Sequence, residues 1–129
     1  MIAEVLSRIH RHAFPEGEGW NAGSMTELLN MPGADYILQP EGFILFRTAC
    51  DEAEIITLAV LPENRRQGAG SRLVALMREE IQPIAKIFLE VENENEPALG
   101  LYKKLGFVQV GFRRNYYGPD KHGIIMAWE

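Results

Sequence analysis

The chain has 129 residues, enough for one domain spanning residues 1–129, and 47 % of them are hydrophobic, which supplies a core and excludes a disordered chain. Its net charge is −5 and its pI about 5.2, which argues against a nucleic-acid partner and suits a basic or amine-bearing one. The single cysteine, Cys50, excludes an internal disulfide and is compatible with a cytoplasmic setting. Glu4, Arg8, His10 and Arg11 interrupt any apolar leader, and the apolar stretch 55–61 is too short to span a bilayer, so no membrane partner is expected.

Ile2, Val5, Leu6, Ile9 and Ala13 recur at helical spacing and predict an amphipathic helix over 2–13, ending before Pro15. A proline and three glycines make 15–23 a loop. Ser24 and Glu27 form a capping-box pattern, which predicts a short helix from there to Met31, stopped by Pro32 and Gly33. Three strand-like segments follow at 35–38, 43–49 and 54–61, separated by turns at 39–42 and 51–52. Leu73, Val74, Leu76, Met77 and Ile81 mark the next helix, closed by Pro83. Residues 84–91 read as a buried strand. Ala98, Leu101, Tyr102 and Leu105 mark a last helix with Gly106 as its C-terminal cap. Two strands, 107–112 and 123–128, end the chain. The order predicts a mixed α/β domain with one parallel crossover around 54–91.

The stretch "NRRQGAGSRL", residues 64–73, joins the third strand to the third helix and concentrates arginine and glycine in an acidic chain. The first amides of a helix lack internal partners, and the helix dipole makes that end positive. Glycines 68 and 70 clear side chains away. The N–H groups near Gly68, Ala69, Gly70 and Ser71 can then converge on phosphate oxygens, with Arg65 and Arg66 adding charge-assisted bonds. A plain tight turn with solvated arginines is the alternative. A Walker loop is excluded by the missing Gly-Lys-Ser/Thr ending. A dinucleotide fingerprint is excluded because Leu73 stands where the third glycine belongs.

"RRQGAG" resembles the Q/R-x-x-G-x-G/A loop of the GNAT acetyltransferases, with Arg65, Gly68 and Gly70 at the matching positions, or Gln67 in a looser register. "IFLEV" and "NEPALGLYKKLGF" stand where that family has its second half. "LEVENENEPALGLYKKLGF", "RRNYY" (113–117) and "HAFP" (12–15) resemble the RimI-type ribosomal-protein alanine N-acetyltransferases more closely. The resemblance implies a GNAT fold with acetyl-CoA as co-substrate, its pyrophosphate at residues 65–71. Backbone around Leu58 and Val60 would pair with the pantetheine amides, provided this strand splays from the one at 84–91. It also implies an amine acceptor, in the RimI-type case a ribosomal-protein N-terminus.

Acetyl transfer to an amine needs a base for the ammonium proton and an acid for the leaving thiolate. Glu90, at the end of "IFLE", matches the RimI-type general base, and Tyr102 the general acid. Without the motif, Glu90 is a solvent-facing strand-end carboxylate and Tyr102 a core aromatic. No cysteine or serine lies in a nucleophile–base arrangement, so direct attack in a ternary complex is the simpler mechanism. Asn95 caps the helix beginning near Glu96 and, by resemblance, contacts the pantetheine arm. Tyr116 and Tyr117 line the acceptor groove or simply end a strand. The acidic run Glu90, Glu92, Glu94 and Glu96 attracts a cationic acceptor or forms a solvated edge. His10 and His12 cannot share a helix face and His122 is isolated, so no metal is expected. Cys50 reads as a core or strand-end residue.

Two departures from the family stand out. The chain begins directly in a helix, without the usual first strand. Residues 35–38 would then form an exposed sheet edge, which predicts a homodimer or a covered edge. The link "YYGPDKHGIIM" is short and carries Lys121-His122-Gly123 where an acidic pair is common. Two rival functions remain: a GNAT enzyme for a small-molecule amine, and an idle acyl-CoA-binding sensor.

Overall fold

The computed structural model describes residues 1–129. The chain runs α1 (Ile2–Ala13), α2 (Ala22–Leu29), β1 (Ala34–Gln39), β2 (Gly42–Ala49), β3 (Glu52–Val60), a 3-10 turn (Pro62–Asn64), α3 (Ala69–Glu80), β4 (Lys86–Glu92), α4 (Glu96–Lys104), β5 (Val108–Gly118) and β6 (Lys121–Trp128). The strands form one sheet in the order β1-β2-β3-β4-β6-β5. Only β3 and β4 are parallel. This is the mixed α/β architecture, with its single crossover, that the order of segments predicts. β1 lies at one edge of the sheet, as residues 35–38 imply, and β5 at the other.

The apolar run of β2 is buried on both faces of the sheet. Ile44 and Phe46 join a core with Ile55, Leu73, Val74, Met77, Ile87, Leu89 and Phe107. Phe43 and Leu45 join a second core with Leu6 of α1 and Met25 of α2. His10, 1 % exposed, belongs to this second layer. Its ring is stacked between Phe14 (4.1 Å) and Trp20 (4.4 Å). The Trp20 N–H donates to His10 Nδ1 at 3.1 Å, so Nε2 carries the hydrogen and donates to Thr57 Oγ1, also at 3.1 Å. Burial drives its pKa down to about 4. His10 is a neutral clamp between α1 and β3.

The β2–β3 register slips between Leu45 and Phe46, which pair with Thr57 and Ile55, so Ile56 is the extra residue of a β-bulge. A bulge bends and twists its strand. β3 pairs with β4 only from Glu52 to Ile55, against Lys86 to Leu89, although both strands continue further. Past Ile55, therefore, β3 has a ladder partner only on its β2 side. The splay on which the sequence reading depended is present.

Several boundaries differ from expectation. The second helix begins at Ala22, because the Asn21 side chain accepts from Ser24 N at 2.8 Å. Asparagine caps as well as serine, and the earlier cap adds the Met25 N to Asn21 O bond of 3.0 Å. Ser24 is thus a helix residue and not a cap. The helix before Pro83 closes at Glu80. The last two strands are longer than predicted: β5 and β6 form a hairpin that runs through "RRNYY" and most of the link "YYGPDKHGIIM", leaving Pro119 and Asp120 between the strands. Polar residues disguise it, because β5 is exposed along nearly its whole length.

Candidate active site

The loop at 64–68 turns through two left-handed residues, Arg66 (φ 63°) and Gly68 (φ 79°). Gly68 is the N-cap of α3 and supplies no side-chain cap. By contrast, α2 is capped by Asn21 and α4 by Asn95, whose Oδ1 accepts from Ala98 N. The α3 N-terminus is left as an uncapped positive pole, with Gly68, Gly70 and Ser71 near the surface and Ala69 buried. Gln67 bonds the Glu63 carbonyl, and Arg72 bonds the Gln67 carbonyl at 2.8 Å, which fixes the loop.

Two residues of the motif do something the sequence does not show. Arg65 donates Nη2 to the Ala13 carbonyl and Nε to the Val60 carbonyl at 3.3 Å. It ties the end of α1 to the end of β3, so Arg66 is the freer cation of the pair. Gly70 has a packing role: a Cβ there would lie 2.9 Å from Leu101 and 3.6 Å from Leu58. Its small size lets α3 approach α4 and β3. A valine at Gly68 would also strain a left-handed backbone, so Gly68→Val would disturb the fold as well as any ligand.

Leu58 and Val60 pack their side chains on the larger core, leaving their backbone at the diverging edge of β3. On β4, Leu89 and Val91 point into the same core, so Glu90 faces the other way. Its carboxylate lies over Gly123, where a Cβ would approach to 2.2 Å. Arg113 Nε is 3.5 Å from Glu90 Oε2, and that oxygen is buried without a hydrogen-bond partner. The Arg113 guanidinium stacks on Tyr116 at 4.7 Å. Tyr117 is exposed on the same strand. Burial first, then the charges of Glu90, Tyr116 and Glu92, push its phenol up to about 12. Glu90, Arg113, Tyr116 and Tyr117 therefore lie near one another on the surface over β4, β6 and β5.

Tyr102 lies on the other side of the sheet, 6 % exposed, edge-on to Phe107 at 5.4 Å. Burial holds its phenol well above its usual range, so it stays protonated. Glu90 and Tyr102 thus project from opposite faces of the sheet. Sequence reasoning missed Arg113 and Glu54, which sits half-buried on β3 and feels the charge of Glu90 and Arg113. The signal for Arg113 was present in "RRNYY", but only the hairpin register sets it opposite Gly123 and so beside Glu90. Cys50 is exposed in the β2–β3 turn, remote from this groove. An open cavity of about 760 Å³ is also at that far end, lined by Cys50, Asp51, Pro83, Ile84 and Lys86. No helix is long and apolar enough to cross a membrane.

Residues 4–107 match the model of the acetyltransferase (GNAT) family. The chain belongs to the GNAT family. It is 35 % identical over 126 residues to the ribosomal protein bS18-alanine N-acetyltransferase of Escherichia coli, covering 90 % of this chain and 82 % of that one. The crystal structure of the E. coli ribosomal-protein-alanine N-acetyltransferase matches with a TM-score of 0.83 at 27 % identity, covering 98 % of this chain and 86 % of that one. An N-alpha-acetyltransferase of Sulfurisphaera tokodaii is 37 % identical over 83 residues, 62 % of this chain and 50 % of that one. This GNAT protein is an acetyl-CoA-dependent N-acetyltransferase, and its acceptor is an amine. Two features fit acetyl-CoA: the uncapped α3 pole for an anion, and the unpaired β3 edge for amide groups.

Proposed function

We propose that this GNAT enzyme acetylates a protein N-terminal α-amine, which enters the groove over β4, β6 and β5 and attacks directly in a ternary complex. The observation that carries this reading is Glu90, a carboxylate with one buried oxygen that lacks a hydrogen-bond partner, set in a groove with Arg113, Tyr116 and Tyr117. Acetyl-CoA supplies the activated acetyl thioester. Glu90 takes the ammonium proton, directly or through a water. Tyr102, kept protonated by burial, reaches the departing sulfur from the opposite face where β3 parts from β4 and gives it a proton as the C–S bond breaks, and the second proton of the acetylated nitrogen restores the phenol. The backbone of Leu58 and Val60 and the side chain of Asn95 would hold the pantetheine arm. Arg66, Gln67, Gly68, Ala69, Gly70 and Ser71 would form the phosphate cradle, with Arg65 bracing it from behind. The whole chain acts as one domain, and the cytoplasm is the proposed setting.

An α-amine, with a pKa near 8, is about one-tenth neutral at pH 7, whereas a lysine amine is neutral in less than about 0.1 % of molecules. A single carboxylate base therefore suits the α-amine. The named activity of the E. coli relative supports a ribosomal-protein N-terminus as the acceptor. The test is mass spectrometry of acetyl transfer to two peptides. One has a free N-terminal alanine followed by arginine; the other has a blocked terminus and an internal lysine. Modification of the first alone is expected. Modification of the second alone would move the assignment to lysine chemistry, and inertness of both to a small-molecule amine or an idle sensor.

The phosphate cradle has its own test. Arg66→Gly removes a cation and a left-handed side chain together. The acetyl-CoA Kd should rise about fivefold, the scale of one exposed ionic contact, without loss of thermal stability. An unchanged Kd by calorimetry would remove Arg66 from the cradle.

A further inference from the structure

The hairpin of β5 and β6 sets four residues against one. Arg113 pairs with Gly123 and Gly118 with Lys121, so Arg114 to Tyr117 stand opposite His122 alone. An ordinary bulge sets two residues against one, so this segment needs ties beyond the ladder to hold a single shape. Asn115 within it has a left-handed backbone (φ 54°), which asparagine adopts where its side chain bonds locally. Its N–H donates to His122 Nδ1 at 2.9 Å, and its Oδ1 accepts from the Asp120 N–H, also at 2.9 Å. His122 is itself fixed to the end of β4. Its N–H donates to Asn93 Oδ1, and its carbonyl accepts from the Asn93 N–H, each at 2.9 Å. Its ring lies 5.0 Å from the Phe112 ring. A ring nitrogen that accepts a hydrogen bond carries no hydrogen, so in neutral His122 the hydrogen is on Nε2.

After Asn115 comes Tyr116, which carries the Arg113 guanidinium on its ring at 4.7 Å and meets Tyr117 edge-on at 5.0 Å. Arg113 Nε in turn reaches Glu90 at 3.5 Å. The contacts close a circuit that leaves the end of β4 at Asn93, passes through His122 and Asn115 to Tyr116 and Arg113, and returns to β4 at Glu90. Lys121-His122-Gly123 is the stretch that departs from the family, and two of its residues act around Glu90. Gly123 leaves room for the carboxylate, and His122 ties the bulge. We propose that His122 is a positioning residue for the acceptor, holding Asn115 in the turn that lays Tyr116 and Arg113 beside Glu90. The proposal rests on the assignment of the surface over β4, β6 and β5 to the acceptor. In this role His122 touches neither the amine nor the cofactor. Without Nδ1, the Asn115 N–H turns to water on an exposed strand, so the segment loses its single shape while the sheet around it stays paired.

The experiment is steady-state kinetics of the full chain with the peptide bearing a free N-terminal alanine followed by arginine, at saturating acetyl-CoA. Three substitutions separate the ring from its Nδ1. His122→Phe keeps a ring against Phe112 and removes the acceptor atom. His122→Asn keeps an acceptor oxygen at the δ position, and His122→Gln moves it one atom further out, where it cannot stand in for Nδ1. The Phe and Gln variants should raise the acceptor KM about fivefold with kcat within about twofold, the scale of one hydrogen bond, and the Asn variant should stay near wild type. The acetyl-CoA Kd should be the same in all of them. The Asn and Gln variants should melt together, since both lose the same ring contact, so a KM difference between them reports the place of the acceptor atom and not stability. An unchanged KM in the Gln variant, or an equal rise in all three, would overturn the proposal. Glu90→Gln in the same assay reports on the acceptor surface itself. If its kcat falls, a failure at His122 sinks this inference alone; if its kcat is unchanged, the acceptor assignment fails and takes this inference with it.

Discussion

Glu90→Gln should lower kcat about 10²- to 10³-fold, the usual contribution of a positioned general base, while the acetyl-CoA Kd stays unchanged. The substitution keeps the size of the side chain and its position over Gly123, and removes only the ability to accept the proton. Glu90 faces away from the α3–α4 core, so the cofactor cradle is untouched. Tyr102→Phe should give a loss of similar size with little change in melting temperature, because the ring keeps its edge contact with Phe107. Single-turnover rates and calorimetry on both variants decide the matter. Turnover near wild type in both would replace the enzyme mechanism with an acyl-CoA-binding module.

The second large effect is on stability. His10 is neutral in the folded protein with a pKa near 4, against about 6.5 in the unfolded chain. Between these values the unfolded state binds the extra proton. The contribution of neutral His10 is therefore complete above about pH 6.5 and is lost as pH falls toward 4, by about 3 kcal/mol in all. Urea denaturation of wild type and His10→Gln at several pH values isolates this from the carboxylates. The variant should be less stable at pH 7, because the Phe14–His10–Trp20 stack is gone, and its stability should change less between pH 7 and 5. Parallel pH dependences in the two proteins would show that His10 does not titrate on unfolding. Its Thr57 partner adjoins the bulge at Ile56.

The sequence by itself determined the order of elements, the mixed sheet, the single crossover and the glycine-arginine loop before α3. These are local properties. Helical spacing, alternation, cap residues and turn residues act within a few positions of one another, so they can be read along the chain. It also placed Glu90 on a strand and Tyr102 on an apolar helix stripe. Only the tertiary structure decided what each of these groups meets. A bulge at Ile56 opens the sheet, and no pattern in "EIITLAV" announces it, because a bulge is a property of two strands in register. The hairpin of β5 and β6 brings Arg113 to Glu90 from 23 residues away, and pairing in the sheet sets Glu54 on the same face. Arg65 reads as a phosphate ligand in sequence, and the fold adds a tie from it to the end of α1, since only folding sets the Ala13 carbonyl within its reach. The sequence speaks of His10 only as no metal ligand, and its low pKa comes from the aromatic and apolar layer that closes over it. Charge and burial depend on neighbours remote in sequence, and that is why the chemistry of the groove had to wait for the fold.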